Sequence, residues 1–229
     1  MNVIIFLGPP GSGKGTMSEK VAGATDYAHL STGDMLRQAV ADKTPLGEKA
    51  EEYMKKGELV PDELMIDLVE ERLKSGSGGG SYMLDGFPRT MNQAELLEKA
   101  LGAGEAGGKG KEAIRNVFFL DAPREVLIER LTGRRICRKC GTNYHIKNFP
   151  PGVDGVCDKC GGELYQRPDD TKDTIGRRLE VYTRQTEALK AHYESMGLLV
   201  YIDADRDVKD IVADIVNVLK RDGGGDSRQ

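Results

Sequence analysis

The stretch Gly8-Pro9-Pro10-Gly11-Ser12-Gly13-Lys14-Gly15-Thr16 follows directly on the apolar run Val3-Ile4-Ile5-Phe6-Leu7, and this junction decides the fold. A buried strand that breaks into glycines and then enters a helix leaves successive backbone N–H groups converging on one point, where the helix N-terminus adds positive potential. A polyphosphate fits that point. Lys14 adds a point charge for β- and γ-phosphates, while Gly8, Gly11, Gly13 and Gly15 keep Cβ atoms out of the way. The spacing Gly8-x4-Gly13-Lys14 follows the general phosphate-loop pattern, but Gly15 stands where Ser or Thr is usual, and the hydroxyl comes one residue later at Thr16.

Outward from the loop, short apolar runs recur at residues 82–84, 117–120 and 198–202, with a shorter one at 28–30, and read as buried parallel strands. Between them lie helical patterns. Met65, Leu68, Val69 and Leu73 keep a 3.6 period after Pro61, which is placed to open that helix at its first turn, and Val208, Ile211, Val212, Ile215 and Leu219 repeat the pattern. Strand alternating with helix predicts an α/β sheet with helices on its faces, and ligands at the strand carboxyl ends. Residues 75–81, 102–110 and 222–229 are rich in Gly and Ser or charge and read as loops and a tail without a function.

At 229 residues the chain can bury one substantial core with a small appended module. Net charge is −4 with 31% charged residues, so no global field draws it to nucleic acid or anionic lipid. Met1 leads straight into the first strand and no run approaches membrane-spanning length, so the expectation is a soluble cytoplasmic protein.

All four cysteines fall in the segment that breaks the α/β rhythm, residues 131–168. Cys137-x2-Cys140 and Cys157-x2-Cys160, sixteen residues apart, have the spacing of a closed four-thiolate structural zinc site. Two disulfides or four free thiols are the alternatives. Gly141 and Gly161 follow the knuckles, where a turn can aim amides at the thiolates. His145 reads as a packing or hydrogen-bonding residue, since four ligands already fill the shell. A ribbon of this kind raises nucleic-acid binding, but little basic charge lies between the knuckles and aromatic residues there are few. A metal-stabilised flap is the better reading. It is flanked by Arg130, Arg134 and Arg135 before it and by Arg167, Arg177 and Arg178 after it, so closure brings guanidinium groups over a bound polyphosphate; for Arg177 plain solvation is preferred.

Three further segments stand out: Ser31-Thr32-Gly33-Asp34-Met35-Leu36-Arg37, Gly57-Glu58-Leu59-Val60-Pro61-Asp62, and Leu84-Asp85-Gly86-Phe87-Pro88-Arg89-Thr90. Arg37 and Arg89 are forks suited to a phosphate dianion, with a bidentate geometry Lys lacks. Asp85 ends an apolar run beside the loop and is the candidate to hold Mg²⁺ through bound water, or to cap the turn before Gly86, or both.

With the phosphate loop and the run Arg130-Leu131-Thr132-Gly133-Arg134-Arg135, these segments make the chain resemble adenylate kinase in its long form with a zinc-bearing lid, over residues 1 to about 206. The ending Gly-Lys-Gly-Thr is itself what nucleoside monophosphate kinases look like. The resemblance implies a P-loop kinase fold, α/β with a central parallel sheet of about five strands flanked by helices. It divides the chain into a core (1–130 and 168–221), an AMP-binding insertion (31–74), a lid (131–168) and a tail (222–229).

The resemblance further implies that ATP lies on Gly11, Ser12, Gly13, Lys14, Gly15 and Thr16, with Arg130 stacking on its adenine, Arg134, Asn143 and Tyr144 contacting the nucleotide, and the backbone of Arg206 meeting the base. AMP then lies among Thr32, Arg37, Gly57, Glu58, Leu59, Val60, Gly86, Arg89 and Gln93. Leu59 and Val60 are read equally well as core residues. Arg167 and Arg178 reach both phosphoryl groups, ordered by Asp169 and Asp170, and complete a catalytic set with Lys14, Arg89 and Arg134. Gln93, four residues after Arg89, shares its helical face and presents an amide that can pair with the adenine edge. The implied reaction is reversible Mg²⁺-dependent phosphoryl transfer from ATP to AMP, giving two ADP, by a monomer with structural Zn²⁺ and no nucleic-acid or membrane partner.

Such a transfer needs in-line placement and charge cancellation, which arginines, Lys14 and Mg²⁺ supply without a general base. A GTPase-type switch requires an Asn-Lys-x-Asp segment that the chain lacks. UMP/CMP kinase, the nearest competitor within the class, resembles the chain less because its lid is shorter.

Overall fold

A computed structural model describes residues 1–75, 80–102 and 113–223. Chain order begins β1 (Asn2–Leu7), α1 (Lys14–Ala22), β2 (Ala28–Ser31), α2 (Thr32–Ala41), α3 (Pro45–Lys56), α4 (Asp62–Lys74), β3 (Ser81–Asp85) and α5 (Met91–Ala100). After β4 (Ile114–Asp121) and α6 (Arg124–Gly133) come three short lid strands, β5 (Arg134–Cys137), β6 (Asn143–His145) and β7 (Leu164–Tyr165). The chain then returns through α7 (Lys172–Gln185), α8 (Ala188–Ser195), β8 (Leu199–Asp203) and α9 (Val208–Gly223).

Five strands form one sheet in the order β2-β3-β1-β4-β8, every neighbour parallel. The period-2 alternation of β1 sorts its side chains between two cores. Val3, Ile5 and Leu7 face a cluster that includes Val69 and Leu73 of α4, Leu97 of α5, and Leu189 and Tyr193 of α8. Ile4 and Phe6 face Met17 and Val21 of α1 with Ile211 and Ile215 of α9. Each such buried side chain stabilises the fold by ~1.5–3 kcal/mol relative to exposure, so a polar residue at Ile4 or Ile5, both fully buried, would break one layer.

The five expected strands are all present, and β4 begins three residues earlier than its apolar run because buried Asn116 and exposed Arg115 interrupt the hydrophobic signal there. Pro61 precedes α4 and does not open it: its ψ of 140° is extended, and Asp62 is the first helical residue. α9 runs to Gly223, slightly into the segment read as a tail. Of the three stretches read as loops or tail, residues 76–79, 103–110 and 224–229 lie outside the described residues.

The lid strands make an antiparallel sheet in the order β6-β5-β7, separate from the parallel one. α6 leads into the lid and α7 leads out, and the two helices pack through Leu127, Leu131, Ile175 and Leu179.

Candidate active site

In adjacent strands Phe6 and Ser31 are both in register with Asp85. The phosphate loop, Thr32 and the Asp85-Gly86 turn therefore emerge side by side at the carboxyl edge of the sheet. A continuous cleft of about 1180 Å³ opens there. It is lined by Gly11, Ser12, Gly13, Lys14, Gly15 and Thr16, by Thr32, Arg37, Gly57, Glu58, Leu59, Val60, Asp85, Gly86, Arg89 and Gln93, and by Arg130, Arg134, Asn143, Tyr144, Arg167, Arg178 and Arg206.

The loop is shaped for an anion. Gly8 has φ +140°, and a Cβ on it would collide with the Leu120 carbonyl of β4. Gly13, the N-cap of α1, has φ +95° with open space where a Cβ would stand. No side chain caps α1 and its first turn holds no acid, so its N–H groups are left for a ligand. Lys14 Nζ donates to the carbonyls of Gly8 (2.7 Å) and Pro9 (2.9 Å). Burial pushes its ammonium down to about 7; Asp85 opposes the shift, and Arg89, Arg178 and Arg134 add to it.

On the other side of the cleft, Arg89 Nε donates to the Gly86 carbonyl at 2.7 Å, and burial, followed by repulsion from Arg178, lowers this guanidinium to about 10. Thr32 Oγ1 donates to the Gly86 carbonyl at 3.0 Å. Gln93 is 1% exposed, its amide oxygen accepting from the Arg89 backbone N–H and its NH₂ donating to Asp62, both at 2.7 Å. One N–H and one lone pair of that amide remain for a ligand. Leu59 is half-buried at the cleft, whereas Val60 also packs into the main core. Glu58 carries an ion pair with Arg177 at 2.7 Å, so Arg177, though exposed, ties α7 to the segment 57–60 and does not merely meet solvent as its solvated reading expects.

Just before α7, Asp170 is a buried carboxylate. It accepts a fork from Arg134, Nε at 2.8 Å and Nη2 at 2.6 Å, and a third bond from Arg178 Nη1 at 3.0 Å. Asp169 also pairs with Arg178 at 3.0 Å. Burial lowers Arg167 to about 9, with Arg134 and Arg37 adding to the effect, and Arg167 Nε is a buried donor without a partner. Crowded, desolvated cations of this kind call for anionic ligands. Arg135 does not join them, donating instead to the carbonyls of Thr132 and Arg134. Arg130 Nη2 donates to the Ala204 carbonyl, and the Arg206 side chain turns to Asp214 of α9.

The four cysteine sulfurs lie within 4.8 Å of one another, and all four are free thiols, which removes the disulfide alternative. Cys137 and Cys160 are 3.4 Å apart and Cys140 and Cys157 3.6 Å, close to the ~3.8 Å that tetrahedral Zn–S bonds of about 2.3 Å imply. The cluster can hold a metal ion. Gly141 and Gly161 have φ of 72° and 68° and close the knuckle turns, and the Lys139 N–H reaches Cys137 Sγ at 3.4 Å. Tyr144 serves this module as well as the cleft: its hydroxyl accepts from the Asp158 N–H at 2.9 Å and contacts Cys157 Sγ at 3.5 Å. His145 stays outside the cluster. Its Nδ1 accepts from the Lys147 and Asn148 N–H groups, so Nε2 carries the proton and donates to the Glu129 carbonyl.

Asp85 is nearly buried, with Oδ2 at 3.4 Å from His29 Nε2. A carboxylate facing the loop in this way fits the role of a magnesium holder acting through water. Three further residues take part that the sequence analysis assigns no role. His29 abuts Asp85 only because β2 and β3 are neighbours. Asp34 pairs with Arg37 and lies 3.6 Å from Arg167; burial raises its carboxyl, but Arg37, then Ser31 and Arg167, hold it below the usual range. Its i,i+3 spacing to Arg37 was the available signal. Asp62 binds the Thr90 hydroxyl and the Asn92 and Gln93 amides, and nothing local announces it.

One continuous cleft with the phosphate loop on one side and Thr32, Arg37 and Arg89 on the other has the make-up of a nucleoside monophosphate kinase site. The family model for adenylate kinase matches residues 6–198. The chain is 51% identical to an adenylate kinase of Carboxydothermus hydrogenoformans, across 95% of this chain and 99% of the relative. It is 48% identical to one of Geobacter sulfurreducens (96% and 99%) and 46% to one of Caldicellulosiruptor bescii (94% and 98%). The chain belongs to the adenylate kinase family, whose reaction is phosphoryl transfer from ATP to AMP, giving two ADP.

Proposed function

We propose that ATP lies with its phosphates on Gly11, Ser12, Gly13, Lys14, Gly15 and Thr16 and its base under Arg130, Asn143, Tyr144 and the Arg206 backbone, while AMP occupies the pocket of Thr32, Arg37, residues 57–60, Gly86, Arg89 and Gln93. The observation that supports this arrangement is the convergence of Lys14, Arg89, Arg134, Arg167 and Arg178 on one continuous cleft. These cations cancel charge on the phosphoryl group as it passes between donor and acceptor oxygens. Lys14 holds the donor phosphates, and Arg37 and Arg89 hold the acceptor phosphate. Arg167 and Arg178 span both. Asp85 would hold Mg²⁺ through bound water, and the ion would supply further charge neutralisation on the phosphates. The acceptor is an ionised phosphate oxygen, so the transfer needs neither a covalent enzyme intermediate nor a side-chain base.

Residues 31–74 and the lid, residues 131–168, close over the core and exclude water, the competing acceptor. Zn²⁺ on Cys137, Cys140, Cys157 and Cys160 stiffens the lid without entering the chemistry. Lid opening with product release limits turnover; single-turnover chemistry slower than opening would overturn that. The protein acts on free nucleotides in a reducing, cytoplasmic setting, a reading supported by its four unpaired cysteines. An ADP-forming assay across AMP, CMP, UMP and GMP tests the acceptor. Strong preference for AMP is expected, and equal rates on all four would overturn the role of Gln93.

A further inference from the structure

The Gln93 amide is held at both ends. Its carbonyl accepts the Arg89 backbone N–H and its NH₂ donates to Asp62 Oδ1, each at 2.7 Å. A flipped amide would set oxygen against carboxylate and NH₂ against N–H, two repulsive contacts in a side chain only 1% exposed. Asp62 is itself oriented. Its second oxygen accepts from Thr90 Oγ1 and Asn92 Nδ2, both at 2.9 Å, and Thr90 in turn caps α5 by accepting the Gln93 backbone N–H at 3.1 Å. The carboxylate stands at the first residue of α4, where the helix N-terminus favours negative charge.

The consequence is a fixed order of acceptor and donor facing the pocket. Adenine presents an amino donor at C6 beside the N1 acceptor, whereas a 6-oxopurine presents an acceptor at C6 beside an N1–H donor. A freely rotating amide serves either pattern. A locked one serves one, and leaves buried polar groups opposed with the other.

We propose that Asp62 is a positioning residue that locks the Gln93 amide so that the acceptor pocket takes a 6-aminopurine monophosphate and rejects a 6-oxopurine monophosphate. This rests on the reading of Gln93 as the base-contacting group. It extends that reading to a residue on a different helix, 31 positions away.

The test compares AMP with IMP, which differ at the 6-substituent, in full-length wild type, Asp62→Ala, Asp62→Val, Gln93→Ala and the Asp62→Ala/Gln93→Ala double variant, with melting temperature measured for each. Gln93→Ala is expected to lower the AMP:IMP ratio of kcat/KM about tenfold or more. Asp62→Ala should lower it by a comparable factor with KM for ATP unchanged, and the double variant should fall no further than Gln93→Ala alone. Asp62→Val, which fills the space that alanine leaves and offers no acceptor for the Gln93 amide, carries the same readout if the alanine variant does not fold. A lowered melting temperature with an unchanged ratio in the Asp62 variants, while Gln93→Ala shifts it, would reduce Asp62 to a helix tie and overturn the proposal. An unchanged ratio in Gln93→Ala itself would overturn the underlying reading instead.

Discussion

A Cβ placed on Gly15 would stand 3.3 Å from Asp85 Oδ2. The Asp85 carboxylate therefore stands in tight contact with the point where a side chain at the usual Ser/Thr position of a phosphate loop would begin, and would have to give way by a few tenths of an ångström to admit one.

Gly15→Ser should press on Asp85 and displace it by a few tenths of an ångström. We expect kcat to fall about tenfold, because misplacement on this scale erodes alignment, and the Mg²⁺ concentration for half-maximal rate to rise. Steady-state kinetics over a magnesium series checks this; wild-type values would show that Asp85 yields without consequence.

Lys14 stands at about 7 against an ordinary 10.5. The unfolded chain therefore holds more protons between these values, and stability of the nucleotide-free protein should rise as pH rises from about 7 to 10.5. A polyphosphate restores the ammonium, so ATP binding at pH 8 should take up close to ~1 proton. Calorimetry in buffers of different ionisation enthalpy measures the uptake, and Lys14→Met should abolish it.

Asp170→Asn leaves Arg134 and Arg178 facing each other without their shared buried carboxylate. Breaking a buried pair of this kind destabilises by ~3 kcal/mol, and because both arginines serve the cleft, kcat should fall as well. Denaturant unfolding with parallel kinetics checks both; full stability would mean that water replaces the carboxylate.

Cys157→Ser should lower the melting temperature and the zinc content per chain while leaving ATP affinity close to wild type, since a closed four-thiolate site contributes folding energy and not chemistry. Metal analysis and thermal melts decide it, and unchanged melting with full zinc would refute the structural role.

Residues 3–16, the recurring apolar runs and the paired cysteine spacing determined, by sequence alone, a parallel α/β sheet, a phosphate site at its carboxyl edge and a compact thiol cluster. Each is a local pattern: hydrophobic period, turn chemistry and ligand spacing are written within a few residues of one another. Only the tertiary structure decided which polar groups meet. Arg134 finds Asp170 across 36 residues and Gln93 finds Asp62 across 31, and His29 reaches Asp85 because β2 lies beside β3. An aspartate destined for burial under a fork of guanidinium nitrogens looks, in sequence, like one facing water. Its partner is set by strand order and by the return of the chain from the lid, and both follow from burial of the two apolar layers around β1 rather than from anything near the aspartate itself.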